Sequence, residues 1–152
     1  MMLIHRHPSH GEDIMMLAQS LEESLLSQPS ALLPEIRPEK VVFPWYDGRS
    51  LANAPAALAQ ALGATLPGAA PPLEHPYGEP LGDGLKQLVC VLVDALGYRQ
   101  LQAQLTRRPH SIWERLARNG ALLPFTSVFP STTATALASL LTGVEPLAHG
   151  LL

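Results

Sequence analysis

Three adjacent hydroxyl side chains near the end of the chain have the types and the position for chemistry. Ser131, Thr132 and Thr133 follow Pro130 and precede an alanine- and leucine-rich run that ends at Gly143. This pattern predicts a helix, and a helix N-terminus carries unpaired N–H groups and a positive dipole end that attract anions such as phosphate. A hydroxyl there is a candidate nucleophile, although the ordinary function of Ser131 or Thr132 at such a place is to cap the helix.

A carboxylate, Asp94, follows an apolar, valine-rich run over residues 85–93. Such a run predicts a central parallel strand covered on both faces, and ligand sites lie at the C-terminal edge of such strands. An Asp in this place is equally typical of a turn or a helix cap. A crossover to a parallel strand could bring Asp94 and Thr133 to one edge, where a metal-binding carboxylate and a metal-activated hydroxyl would suit phosphoryl or sulfuryl transfer.

The composition excludes several classes of protein. The chain has 152 residues, of which 47% are hydrophobic and 15% charged, so it is not of a disordered type. The net charge of −3 and the absence of a basic block argue against a nucleic acid polymer as partner. The single cysteine, Cys90, fits a reduced compartment. No apolar run has the length of a membrane span and no signal peptide pattern opens the chain, so we expect a cytoplasmic location.

The distribution of prolines divides the chain. Residues 1–45 are predicted to be an N-terminal extension, with a helix over 13–27 and a proline-broken segment, and residues 46–152 to be an α/β domain. Within the second part, residues 51–62 are predicted to be a helix, because Ser50 or Asn53 can cap it and a glycine follows it. Residues 64–84 are predicted to be a surface loop rather than a linker. A short strand is possible at 40–43, and the histidines at 5, 7 and 10 indicate a solvated terminus rather than a metal site.

Local signals predict the elements between the two candidate site residues. A helical pattern begins at Tyr98, and a second helix is predicted from Ser111 to Arg118, with Glu114 completing a capping box. Trp113 is then a core residue rather than a ligand-stacking one. Residues 121–129 are predicted to be extended, but Pro124 should prevent a regular strand along their whole length.

Three motifs taken together resemble the N-terminal part of the alkaline phosphatase superfamily, and most closely its type I phosphodiesterase / nucleotide pyrophosphatase branch. In chain order they are Val91-Leu-Val-Asp94-Ala-Leu-Gly97, Phe129-Pro-Ser-Thr-Thr133 and Leu141-Thr-Gly143-Val-Glu-Pro-Leu-Ala-His149-Gly150. The segment Ser50-Leu-Ala-Asn-Ala-Pro-Ala is also similar to one that precedes the metal-binding Asp in bacterial members. The resemblance therefore runs from about Tyr46 to the end of the chain.

The resemblance implies an alkaline phosphatase-like α/β fold, with a parallel-sheet core and flanking helices. This fold would be incomplete in the present chain. It implies a site with two divalent metal ions, usually zinc and otherwise manganese, in which Asp94 and Thr133 share one metal. Thr133, rather than Thr132, matches the nucleophile that forms a phospho-threonine, and the backbone N–H of Ala134 would hold a phosphoryl oxygen. The implied substrate is a small phosphoester.

The chain also departs from the family pattern. Nucleotide pyrophosphatases commonly have a phosphate-contacting Asn shortly after the nucleophile, where this chain has Ala134-Thr-Ala136. His149 matches a motif histidine with a structural role, and the remaining metal ligands of the family match no residue here. We therefore expect the N-terminal portion of a metal-dependent phosphodiesterase or phosphatase, with the missing part as a separate chain. The alternatives are a non-catalytic α/β remnant or interaction module, and a sulfatase or mutase branch, of which Thr133 disfavours the sulfatase.

Overall fold

The structure is a computed structural model, and it describes residues 2–5, 11–27, 41–78, 81–108 and 110–152, without the side chains of 2–5 and 11–15. The elements in chain order are β1 (Met2–His5), α1 (Gly11–Leu26), a 3-10 helix (Leu51–Asn53), α2 (Ala54–Ala61), α3 (Tyr98–Arg107), α4 (Ile112–Arg118), β2 (Gly120–Leu123), α5 (Thr133–Thr142) and α6 (Pro146–His149). None of the helices in these ranges is long and apolar enough to cross a membrane.

The sheet in the described part of the chain has two strands, β1 and β2, which pair antiparallel with Met2 opposite Leu123 and His5 opposite Gly120. β2 ends just before Pro124, which confirms the predicted interruption, because proline has no N–H for the ladder. A separate parallel bridge joins Ser50 and Thr126. The predicted parallel-sheet core is therefore not seen in the described residues.

The prediction of a central strand over residues 85–93 is wrong for this structure. The segment has no strand assignment, and Val89 and Val91 are 88% and 78% exposed. Valine-rich runs are typical of strands buried between neighbouring strands, but a strand forms only where another strand offers hydrogen-bonding partners. β2, which could offer its backbone, pairs with β1 instead. Residues 41–43 also form no strand, and residue 40 lies outside the described residues, as do His7 and His10.

The predicted helices form with small shifts at their ends. α1 begins at Gly11, ahead of the predicted cap, and α4 occupies Ile112–Arg118 as expected. The Ser111 hydroxyl accepts from the N–H of Glu114 at 3.2 Å, which confirms the cap. The Glu114 carboxylate accepts from the backbone N–H of His110 rather than from that of Ser111, so the reciprocal half of the capping box uses the neighbouring amide.

Two apolar clusters hold these elements together. The larger joins α1, α2, the loop before residue 82 and β2, and consists of Leu21, Ala54, Ala57, Ala61, Leu73, Tyr77, Leu81 and Leu123. The smaller consists of Leu101, Ala117 and Leu122, with Trp113 packed against it, so Trp113 is a core residue as predicted. Because Leu73 and Tyr77 are buried, the irregular connection packs as part of the same unit, as a surface loop of one domain would.

Candidate functional site

The two threonines at the start of α5 have different environments. Thr132 is the N-cap, with extended φ and ψ of −74° and 153°, and its hydroxyl accepts from the N–H of Thr135 at 3.2 Å. It also lies 2.8 Å from the hydroxyl of Thr135, which is fully buried. The capping expected for Ser131 or Thr132 is therefore performed by Thr132.

Thr133 is the first residue of α5 and is exposed. Its hydroxyl makes no hydrogen bond to the part of the chain that the structure describes, and the same holds for the N–H groups of Thr133 and Ala134. The positive end of the helix dipole and two free donors therefore lie beside a free hydroxyl. The candidate nucleophile and the candidate phosphate-binding amide are neighbours at one helix start.

The strand-like segment that leads into this turn is fixed through Thr126. Thr126 accepts from the N–H of Leu51 at 2.9 Å through its carbonyl and donates its N–H to the carbonyl of Arg49 at 2.9 Å. Its side-chain oxygen accepts from the N–H of Trp45 at 2.9 Å. Three residues on, the N–H of Phe129 donates to the Tyr46 hydroxyl at 3.1 Å. The approach to Thr133 is thus tied at several points to residues 45–51.

A buried amide side chain, Asn53, organises those residues in turn. Its Oδ1 accepts from the N–H and the hydroxyl of Ser50 at 2.9 and 2.7 Å. Its Nδ2 donates to the carbonyls of Tyr46 and Pro71 at 2.6 and 2.8 Å. Sequence reasoning treated Ser50 and Asn53 as helix caps and missed this positioning role, because two of the four bonds reach residues that are remote along the chain. Because α5, the helix that carries Thr133, packs against the 3-10 helix and α2, the bonds of Asn53 also help to fix the position of Thr133.

The C-terminal end of α5 is fixed by Gly143, which confirms the predicted glycine stop. Gly143 has a left-handed φ of +74°, and its N–H donates to the carbonyl of Ser139 at 2.8 Å. A Cβ atom there would lie 2.8 Å from Leu66 Cδ2, and the Gly143 carbonyl accepts from the N–H of Ala70 at 2.6 Å. Its conformation favours glycine, and a side chain there would also force Leu66 to shift.

His149 lies beyond α5 and uses both ring nitrogens internally. Nδ1 accepts from the N–H of Leu151 at 3.1 Å, so in the neutral ring the proton is on Nε2. Nε2 is 3.0 Å from the hydroxyl of the fully buried Ser139, to which it donates. This arrangement agrees with the structural role that the resemblance implies for His149, since metal binding would break one of the two bonds.

Asp94 lies in a different setting from Thr133. It is exposed, and its carboxylate accepts from the N–H of Ala95 at 2.9 Å, closing a turn in which Ala95 has a φ of 58°. No hydrogen bond or ion pair joins Asp94 to Thr133 within the described residues. The crossover expected to bring them to one sheet edge is not formed, because residues 85–93 are outside any sheet.

The helix behind the Asp94 turn is anchored to α1. Glu22 accepts from Arg99 at 3.0 Å, and the Gln102 amide donates to the Tyr98 hydroxyl at 2.8 Å. Burial, reinforced by the charge of Glu22, raises the pKa of Tyr98 to about 12. Tyr98 therefore remains neutral and packed, so α3 gives the Asp94 turn a fixed support on its C-terminal side.

The metal site implied by the resemblance is only partly represented. Asp94 and Thr133 offer oxygen donors that suit zinc or manganese. A protein zinc site takes three or four protein ligands, and no group of three or more His, Cys, Asp or Glu residues that could hold a metal ion occurs among the described residues. These residues therefore do not form a metal site on their own.

Two surface grooves lie near the same helices but away from these residues. One, of about 480 Å³, lies at the C-terminal end of α5 and is lined by residues 68–70, 144, 145, 147 and 148. The other, of about 360 Å³, lies beside α2 and the loop of residues 81–83. Neither is lined by Asp94 or Thr133, so neither extends the candidate site.

Comparison with known sequences is informative for the C-terminal part of the chain. No curated protein and no solved structure matches the chain significantly. The sequence model of the family described as type I phosphodiesterase / nucleotide pyrophosphatase matches residues 88–152, which include Asp94, Thr133, Ala134 and His149. The segment around Ser50 lies outside this match. The resemblance seen in the sequence is thus confirmed over residues 88–152, where the chain is similar to the type I phosphodiesterase / nucleotide pyrophosphatase family.

Proposed function

We propose that this chain supplies the nucleophile, Thr133, for hydrolysis of a small phosphoester. The observation that carries the proposal is the division of roles at the start of α5. Thr132 caps the helix, which leaves the Thr133 hydroxyl and the N–H groups of Thr133 and Ala134 free and exposed. These groups lie in the stretch that matches a family of phosphodiesterases and nucleotide pyrophosphatases.

In the proposed reaction, Thr133 Oγ attacks phosphorus and loses its proton. The bond from phosphorus to the leaving alkoxide breaks, and the alkoxide takes up a proton. A water molecule then attacks the phospho-threonine, the bond between Oγ and phosphorus breaks, and Thr133 regains a proton. The N–H of Ala134 would donate to a phosphoryl oxygen as charge accumulates there, and a donor of this kind is worth about a hundredfold to a thousandfold in rate.

A threonine hydroxyl needs activation, and no described side chain hydrogen-bonds to Thr133. We propose that ligands not provided by residues 1–152 complete the site, together with Asp94 and Thr133, around two divalent ions, zinc or manganese. Bound ions of this kind supply Lewis-acid stabilisation and favour the ionised hydroxyl. The absence of the phosphate-contacting Asn at Ala134-Thr-Ala136 favours small phosphoesters other than nucleotides as substrates.

The anion site can be tested on the chain as it stands. Orthovanadate, a tetrahedral phosphate analogue that becomes pentacoordinate when a hydroxyl adds to it, is titrated into ¹⁵N-labelled protein. We expect the amide resonances of Thr133 and Ala134 to shift. Thr133→Ala is expected to weaken these shifts, whereas Thr142→Ala, at the other end of the same helix, should leave them unchanged. A titration in which neither resonance moves would contradict the proposed anion site.

The division of the metal site has its own test. With zinc and a chromogenic phosphodiester, we expect the isolated chain to hold no tightly bound zinc pair and to turn over at the background rate. Turnover that Thr133→Ala abolishes would support the nucleophile but overturn the proposal that ligands outside residues 1–152 are needed to complete the site.

A second candidate function is that of a non-catalytic interaction module. It is favoured by the exposed apolar side chains of Val89, Val91, Leu92 and Val93 and by the lack of a three-ligand group among the described residues. The two candidates differ in the vanadate titration, because an interaction module has no reason to bind a phosphoryl analogue at Thr133.

A further inference from the structure

Residues 86–93 form neither helix nor strand and have no backbone partners among the described residues. Leu85 donates its N–H to the carbonyl of Ala61 at 2.8 Å, and from Lys86 to Val93 no backbone group hydrogen-bonds to the described residues. The side chains of Val89, Val91, Leu92 and Val93 are exposed. Unpaired N–H and C=O groups beside apolar side chains are a template for adding another strand.

We propose that two copies of the chain pair through this segment as antiparallel strands around a two-fold axis at Cys90. The charges on the segment favour this arrangement, because Lys86 precedes Cys90 by four residues and Asp94 follows it by four. An antiparallel pair centred on Cys90 brings together Lys86 with Asp94, Gln87 with Val93, Leu88 with Leu92, Val89 with Val91, and Cys90 with Cys90.

The alternative orientation of the same two strands is unfavourable. An in-register parallel pair would place Lys86 beside Lys86 and Asp94 beside Asp94, and like charges directly opposite each other destabilise a sheet. In the antiparallel pair, two-fold symmetry produces the Lys86–Asp94 contact twice, and the residues between are almost all apolar. The segment is thus self-complementary in charge and in apolar character, which identifies a second copy as its occupant.

This interface goes beyond the proposed catalytic function and is tested by oligomeric state and cross-linking of the full chain. We expect sedimentation to show a concentration-dependent dimer. Directly opposed residues of antiparallel strands have Cα atoms about 4.5 or 5.5 Å apart, within the range of a disulfide. Mild oxidation should therefore link Cys90 to Cys90. Cys90→Ser should abolish the link and leave the dimer intact.

Charge variants test the register. Lys86→Glu places like charges opposite each other twice, and we expect it to weaken dimerisation by about tenfold or more. The double variant Lys86→Glu with Asp94→Lys restores the opposite charges and should restore the dimer. Arg107→Glu makes the same charge change on the exposed end of α3 and should have little effect.

Three results would overturn the interface. These are a chain that stays monomeric at its highest soluble concentration, a dimer that Lys86→Glu does not weaken, and a double variant that dimerises no better than Lys86→Glu. A segment that pairs instead with a strand of a different polypeptide gives the first result. Circular dichroism of each variant shows that the fold is retained, which is expected because the substituted side chains are exposed.

Discussion

The two halves of the candidate site differ in how the chain holds them. The turn before Thr133 is tied by Thr126 and Tyr46 to a segment that Asn53 organises from a fully buried position. Asp94 follows residues 86–93, which have no backbone partners among the described residues, and its carboxylate bonds only to the next amide in the chain.

This contrast shows that the two candidate site residues depend on different sources of order. The position of Thr133 is determined by polar groups that the described residues satisfy among themselves, and buried networks of this kind specify one arrangement. The position of Asp94 relative to Thr133 depends on whether residues 86–93 gain strand neighbours. The end with the candidate nucleophile is therefore preformed, whereas the position of the candidate metal ligand is not fixed by the described residues.

The largest expected effect comes from breaking the network under the preformed end. Asn53→Ala removes the partner of two buried groups on Ser50 and of the part-buried carbonyls of Tyr46 and Pro71. We expect a loss of about 3–5 kcal/mol in the free energy of unfolding, because each unsatisfied buried polar group costs about 1–3 kcal/mol. Urea unfolding measures this loss.

Gln60→Ala is the matched control for that experiment. Gln60 lies on α2, the helix that Asn53 precedes, and is exposed, so the expected change is within about 0.5 kcal/mol. Equal effects of the two substitutions would show that the network around Asn53 does not stabilise the fold.

A smaller effect is expected at the far end of α5. Gly143→Ala introduces a Cβ atom 2.8 Å from Leu66 Cδ2 in a residue with positive φ, and we expect a loss of about 2–3 kcal/mol. Gly63→Ala is the control, since Gly63 has a similar φ of +76° with nothing within 4 Å of a new Cβ. Its expected loss is about 1 kcal/mol, and the difference between the two measures the contact alone.

Two tyrosines, one in each region, should make the free energy of unfolding depend on pH. Burial raises the pKa of Tyr77, beneath the Asn53 segment, and of Tyr98, beside the Asp94 turn, to about 12 in each case. The folded state therefore keeps protons that the unfolded state loses at about pH 10, so stability is fully present below pH 10 and falls as the pH rises towards 12. Tyr77→Phe and Tyr98→Phe should each reduce this alkaline loss, as measured by urea unfolding across that range.

The two variants should differ at neutral pH. The Tyr77 hydroxyl is buried without a hydrogen-bond partner among the described residues, so Tyr77→Phe is expected to be neutral or slightly stabilising. Tyr98→Phe loses the bond from Gln102 and should destabilise by about 1 kcal/mol. A marked destabilisation by Tyr77→Phe would mean that its hydroxyl has a partner that the described residues do not provide.

The smallest effect is expected at the Asp94 turn itself. Ala95 has a φ of 58°, which costs a residue with a Cβ about 1–2 kcal/mol and costs glycine nothing. Because glycine also loses more entropy on folding, Ala95→Gly should raise the free energy of unfolding by about 0.5 kcal/mol. Ala103→Gly, at an exposed position in α3, should instead lower it by about 1 kcal/mol. Thermal unfolding of both variants checks the opposite signs.

The sequence predicts well where local chemistry decides the structure. Ser111 caps α4 because its hydroxyl reaches the amide of Glu114 three residues on, and β2 stops at Pro124 because proline lacks an N–H. Gly143 ends α5 because its conformation is costly for other residues. Each signal involves only neighbours in the chain, so the residue types alone are sufficient.

The sequence predicts poorly where a distant partner decides. The valine-rich residues 85–93 indicate a strand but do not specify its neighbours, and the pairing of β1 with β2 joins segments from opposite ends of the described chain. Asn53 was identified as a possible cap, yet its side chain bonds to the carbonyls of Tyr46 and Pro71. Such contacts depend on tertiary packing, which periodicity and capping rules do not contain.

Residues 86–93 also have exposed, unpaired backbone groups outside any helix or strand, and proteases cleave segments of this kind first. In the monomer this segment is therefore where a first cut should fall. The cut would separate α1 and α2 from the helix that carries Thr133, but the bonds between Leu51 and Thr126 and between Tyr46 and Phe129 would remain. The two pieces would therefore stay associated without a covalent link.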